Sequence, residues 1–145
     1  RNDTRCLRHI VNSEQLYVDI ERGELPHLMY YTPNINNDGH DTGLKYANEY
    51  LSKLMPPLLG NPKFMNGTLI VVTFDEDNYL FGNNVYCALL GPMVKPGGVD
   101  EGKYTHYSLL RTIEDNFQLG TLGRHDASAT SFNAFHRQNK YKDFL

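Results

Sequence analysis

Thr68-Leu69-Ile70-Val71-Val72-Thr73-Phe74 runs without alternation into Asp75-Glu76-Asp77, and this junction decides how the rest of the sequence reads. An apolar, β-branched run with no polar position predicts a central strand buried on both faces, as in a sheet covered by helices. Working outward, Val85 to Leu90 is a second apolar run closed by Gly91-Pro92. In HYSLLRTIEDNF, Leu109, Leu110, Ile113 and Phe117 fall at helical spacing, with Gly120 as the expected stop. Upstream, Leu44, Ala47, Leu51, Leu54 and Leu58 recur at alternating spacings of three and four, which predicts one helical stripe ended or kinked by Pro56 and Pro57. HLMYYT, His27 to Thr32, predicts a short strand leading into the loop TPNINNDGHD. Ser13 to Glu21 predicts a helix capped by Ser13 and stopped by Gly23, with a strand as the rival reading. The fold class expected is α/β, with a largely parallel sheet flanked by helices, and residues 1–145 forming a single unit without internal repeats.

Composition sets bounds on function. The chain has 145 residues, 40% of them hydrophobic, enough for one compact domain. Fourteen Lys plus Arg against 17 Asp plus Glu give a formal net charge of -3, so nothing favours nucleic acid or an acidic membrane surface. The longest apolar run is far below the roughly 20 residues of a membrane-spanning helix, and no segment looks like a signal peptide. A soluble, already processed chain is expected. Asn2-Asp3-Thr4 and Asn66-Gly67-Thr68 fit the N-glycosylation acceptor pattern, pointing to a secreted, extracellular protein. Cys6 and Cys87 could close one bridge, worth about 4 to 5 kcal/mol for so long a loop. Cys87 as a buried free thiol is equally open.

Three polar clusters sit where α/β proteins place their ligands, beyond strand ends and at helix starts. Asp75 and Glu76 follow the central strand, and paired carboxylates there offer hard oxygen ligands to a divalent cation, although turn capping and solvation would also account for them. Asp38-Gly39-His40-Asp41 precedes the Leu44 helix; Gly39 permits a tight turn, and Asp41 or Thr42 can cap the helix. His40, at a helix start beside a carboxylate, can meet an anion or a metal, or simply bond locally. His106 in Tyr104-Thr105-His106-Tyr107-Ser108 occupies the equivalent place before the last helix. His125 beside Asp126 has no spacing that ties it to the others, and His9, His27 and His136 read as surface or packing residues. A carboxylate pair plus two loop histidines describes metal-assisted phosphoryl or sulfuryl transfer. Ser108 and Thr42 are the positional candidates for a nucleophile, yet both read as helix-cap residues.

TPNINNDGHDTG, TLIVVTFDED, VYCALLGP and YTHYSLLRTIEDNFQLGTLGRHDASA, in that order, resemble the phosphoesterase family of acid phosphatases and bacterial-type phospholipases C. The wording is most similar to secreted fungal acid phosphatases, and the resemblance spans about Leu25 to Phe132. It implies an alkaline-phosphatase-like α/β sandwich that hydrolyses phosphate esters through a metal-activated hydroxyl. By that resemblance Asp75 and Glu76 match the acidic metal-binding pair, while the identity of the divalent metal ion stays open. His40 and His106 match the histidines that contact the phosphoryl group, and Asp41 is the neighbour that orients His40. Proteins that look like this also carry a Glu-Asn metal-binding pair, a further histidine and a Ser or Thr nucleophile upstream, none of which is found here. The chain therefore resembles the C-terminal part of a longer enzyme, whose N-terminal part would be its partner, and no turnover is expected from it alone. Two other readings stand beside phosphomonoester hydrolysis: a noncatalytic secreted glycoprotein module that binds a partner or anion, and a phospholipase C-type phosphodiesterase.

Overall fold

The computed structural model describes residues 3–77, 80 and 82–133, and the chain divides into two compact units, Arg1–Asn66 and Gly67–Leu145.

The first unit is helical. Helix α1 (Thr4–Leu7) is capped by Asp3, whose Oδ1 accepts from Arg5 N at 2.8 Å. Helix α2 (Glu14–Arg22) ends as expected at Gly23, whose φ of 70° lets Glu24 N reach back to Asp19 O at 3.0 Å and Gly23 N to Ile20 O at 3.2 Å. Ser13 flanks α2 but makes no side-chain cap.

Helix α3 (Leu44–Leu59) runs through Pro56 and Pro57. The prolines do not break it because they remove donors only opposite the Ser52 and Lys53 carbonyls, and both of those residues are exposed to water. Helix α4 (Pro62–Met65) starts with Pro at its first position and Asn61 as cap, its Oδ1 accepting from Lys63 N at 3.0 Å. α4 packs against both α2 and α3. The core here is Ile20, Ala47, Leu58 and Phe64. The α3 stripe holds in part: Ala47 and Leu58 are buried, Leu51 and Leu54 half-buried, and Leu44 is 73% exposed. His27–Thr32 is not a strand. Its β-rich composition finds no pairing partner among the described residues, and Tyr30 points into solvent.

The second unit carries the sheet. Strand β1 (Ile70–Thr73) pairs with β2 (Cys87–Leu90) in an antiparallel register from Ile70↔Leu90 to Thr73↔Cys87. Mixed helix and strand content agrees with the α/β expectation, but among the described residues the sheet has two strands and no parallel pair. A parallel neighbour needs a crossover, usually helical, and no described residue between Thr73 and Cys87 is helical, so the chain returns alongside itself. β1 is half-buried rather than covered on both faces. After β2, Gly91 passes so close to Thr68 that a Cβ would lie 2.6 Å from its carbonyl oxygen.

Helix α5 (His106–Asn116) begins with Ser108 Oγ accepting from Thr105 N at 3.0 Å, a reach-back cap. It ends before Gly120. Gln118 takes the left-handed conformation, φ 54°, and Leu119 N closes onto Glu114 O at 2.8 Å. The fully buried side chains of α5 are polar: Ser108, Thr112 and Glu114, while Leu109, Leu110, Ile113 and Phe117 are half-buried. Thr112 explains its own burial, because its hydroxyl donates to Ser108 O at 2.7 Å and accepts from Phe132 N at 2.8 Å. The buried Phe132 ring meets Tyr104 edge to face at 5.0 Å. A 3₁₀ turn, His125–Ser128, packs on α5.

Candidate functional site

In the second unit the β1 end and the α5 start are joined by one bond. His106 Nε2 lies 2.7 Å from the main-chain oxygen of Asp75. A carbonyl can only accept, so Nε2 carries the proton, and in the neutral ring the lone pair is on Nδ1. The sequence separates these residues by the whole second strand, yet the fold clasps the α5 histidine to the first of the two predicted metal ligands. Asp75 also folds on itself, its Oδ1 accepting from Glu76 N at 3.1 Å.

Beyond the strand, Asp77 closes the loop that follows. Its Oδ2 accepts from Asn83 N at 2.9 Å and Asn84 N at 3.3 Å, and its own N–H donates to Asn83 Oδ1 at 2.9 Å. Asn83 has a φ of 61°, which a short polar side chain tolerates. This reciprocal pair shapes an open hollow of about 350 Å³ lined by Asp75, Glu76, Asp77, Gly82 and Asn83. Its lining is acidic and amide, the chemistry of a cation site. Among the described residues no three His, Cys, Asp or Glu side chains converge as a metal cluster. Asp75 and Glu76 are the two carboxylates of that lining at the strand end, fewer than a divalent ion needs to be enclosed. Sequence reasoning treated Asp77 as a solvated neighbour and did not single out Asn83. An Asp-to-Asn pairing six positions apart leaves no periodic signal.

The approach to α5 is tied separately. Asp100 accepts from Gly102 N at 2.8 Å and from Tyr104 OH at 2.7 Å. The Tyr104 hydroxyl, then the Gly102 amide, hold the Asp100 carboxyl below its usual range, and the same bond pushes the Tyr104 phenol up. Two residues later the chain delivers His106. Ser108 is consumed as a buried cap, which removes it as a nucleophile candidate. His125, set aside in sequence, stacks on Tyr107 with ring centroids 5.0 Å apart.

The first unit holds the other expected pair. His40 Nδ1 lies 2.7 Å from Asp41 Oδ1, with the imidazole 67% exposed. With its proton on Nδ1, the ring donates to the Asp41 carboxylate. His40 N donates to Asp38 Oδ1 at 2.8 Å. Gly39, at φ 94°, folds this loop onto α3, where a Cβ would come within 3.3 Å of Ala47 Cβ. Neither Asp41 nor Thr42 caps α3: Gly43 occupies that place without a side-chain bond, and the Thr42 hydroxyl donates to Asn36 O at 2.5 Å. Thr42 is thereby used as a loop brace. Cys6 and Cys87 are both free and exposed, so the bridge is absent and Cys87 is not the buried thiol expected.

Residues 2–120 match the model of the Phosphoesterase family, and the chain belongs to that family. It is 38% identical to an acid phosphatase of Aspergillus niger over 98% of this chain and 35% of that protein. It is 42% identical to a probable acid phosphatase of Kluyveromyces lactis over 88% of this chain and 31% of that protein. A phosphatidylinositol-3-phosphatase of Mycobacterium tuberculosis is 31% identical over 68% of this chain and 32% of its own length. The chain spans about a third of the length of these curated relatives. No solved structure matches it.

Proposed function

We propose that this chain serves in the hydrolysis of phosphate monoesters as part of an acid phosphatase, secreted and glycosylated, whose remaining residues supply the attacking hydroxyl and complete the site. Family membership across residues 2–120 carries the reading, and the fungal acid phosphatases among its relatives support the monoester substrate over a diester. A divalent metal held in part by Asp75 and Glu76 would polarise the phosphoryl group and lower the pKa of a bound hydroxyl.

The two histidines would act through the protons on their rings. His106 spends its Nε2 proton on the Asp75 carbonyl, and His40 directs its Nδ1 proton at Asp41. Each ring can donate to a phosphoryl oxygen from its other nitrogen only after taking a second proton. As imidazolium, each stabilises the charge that builds on the transferring phosphoryl, and one returns its proton to the leaving oxygen. The extracellular reading draws support from Asn66, which is exposed within its acceptor tripeptide; Asn2 lies outside the described residues. Among the described residues no helix is long and apolar enough to cross a membrane.

The test is p-nitrophenyl phosphate turnover by the full polypeptide that carries this chain, with His40→Ala and His106→Ala variants. Loss of a positioned acid or charge-stabilising group lowers kcat about 10²- to 10⁴-fold while leaving thermal unfolding cooperative. Undiminished turnover in both variants would remove the assignment.

A further inference from the structure

Glu114 and Asp126 play no part in the site above, yet they are among the most deeply buried side chains described, 3% and 1% exposed. Burying two carboxyl groups together is unfavourable unless each polar atom is answered. Asp126 is answered by the backbone: Oδ2 accepts from Leu122 N at 2.7 Å and Oδ1 from Arg124 N at 3.0 Å. Two N–H donors aimed at its two oxygens select the ionised form. Glu114 is different, because its Oε2 is buried with no donor directed at it. An oxygen without a donor is an orphan only if it lacks a proton of its own. Protonated, it becomes a donor, and Asp126, on the 3₁₀ turn packed against α5, is the carboxylate that it interacts with.

We propose that Glu114 and Asp126 share one buried proton as an acid-keyed latch, which fastens the loop from Leu122 to Ser128 onto α5 at acidic pH and releases it when that proton is lost. The charges around the pair fit. Burial, first, and then the Asp126 charge raise the Glu114 pKa above the usual carboxyl range. Arg111 on the same helix opposes this, but its guanidinium is engaged 2.9 Å from Asp115, which acts in the raising direction. Burial also works against ionised Asp126, yet the Leu122 and Arg124 amides outweigh it and hold its pKa below the ordinary value.

The sign follows from linkage. A carboxyl with a raised folded pKa adds stability below its unfolded value and loses it as pH rises through the folded one; Asp126 behaves oppositely, losing its contribution as pH falls through its lowered pKa. The latch is therefore fully formed between the lowered pKa of Asp126 and the raised pKa of Glu114. Beyond that upper limit two anions face each other in a dry contact. The 3₁₀ turn it secures also carries His125, whose ring lies against Tyr107 beside His106.

The experiment is carbon-13 NMR of glutamate-labelled protein, following the Glu114 side-chain carboxyl through a pH titration, together with melting temperature against pH for wild type and Glu114→Gln. The glutamine keeps an N–H donor toward Asp126 but cannot ionise. The expected results are a Glu114 midpoint above the ordinary glutamate range and a fall in wild-type melting temperature across that midpoint, which Glu114→Gln flattens. A Glu114 midpoint within the ordinary range, or the same pH profile in both proteins, overturns the latch. Should the variant fail to fold, the wild-type titration decides alone.

Discussion

At the residue scale, each of the two candidate histidines is held, within its own unit, by a short bond that fixes its tautomer. His106 is set by a main-chain oxygen and His40 by a carboxylate, so the two rings respond differently to mutation. Asp41→Asn removes the charge that holds the His40 proton without removing the ring. Losing such an orienting partner lowers activity about 10- to 100-fold. In the complete polypeptide the expected result is a fall of that size in kcat, smaller than in His40→Ala; equal losses would mean that Asp41 does more than orient. The sequence exposed this pair because the residues are adjacent, and it exposed Asp75 and Glu76 because they end an apolar run. It did not expose Asp77 with Asn83, or Glu114 with Asp126, since these meet only after the chain has turned back. Nothing in residue type marks a carboxylate as a loop brace rather than a ligand.

At the element scale, the three longer helices and both strands were legible, and the direction of strand pairing was not. α3 and α5 appear where spacings of three and four recur, and α2 is legible from its flanks: its stop at Gly23 follows from a left-handed φ that glycine adopts without strain. The α5 stop shows the limit of that rule, because Gln118 rather than Gly120 turns left-handed. Strand direction is a property of pairs, and an apolar run such as Thr68 to Phe74 says nothing about which neighbour it will meet. His27–Thr32 has strand composition without a partner and stays irregular. Capping offers a direct check on local energetics. Asn61→Ala leaves Lys63 N and Phe64 N at the start of α4 without their acceptor. A loss of about 1 kcal/mol in unfolding free energy is expected from chemical denaturation; no change would mean that Pro62 alone sets the helix start.

At the scale of the whole molecule, few large apolar side chains among the described residues of either unit are fully buried. The second keeps a core of Phe132 and polar side chains, with β1 and the apolar face of α5 only half covered. If Asp75 and Glu76 are ligands, a divalent ion at 100 times its dissociation constant stabilises the complete polypeptide by about 2.7 kcal/mol. The check is melting temperature with and without the ion, in wild type and in Asp75→Asn combined with Glu76→Gln. The shift should vanish in the double variant, and an undiminished shift there would place the ion elsewhere.

The two-stranded ladder bears on handling as well as on chemistry. Among the described residues each strand of the pair has a neighbour on one side only, and a row of amide and carbonyl groups without a partner strand can template strands from another molecule. Natural edges are blunted by lysine, proline or bulges, whereas Ile70–Thr73 and Cys87–Leu90 contain none of the first two. Concentration during expression and storage thus becomes a variable in its own right, and dilute refolding, or co-production with whatever sequence lies alongside these strands, is the condition that favours a monodisperse preparation.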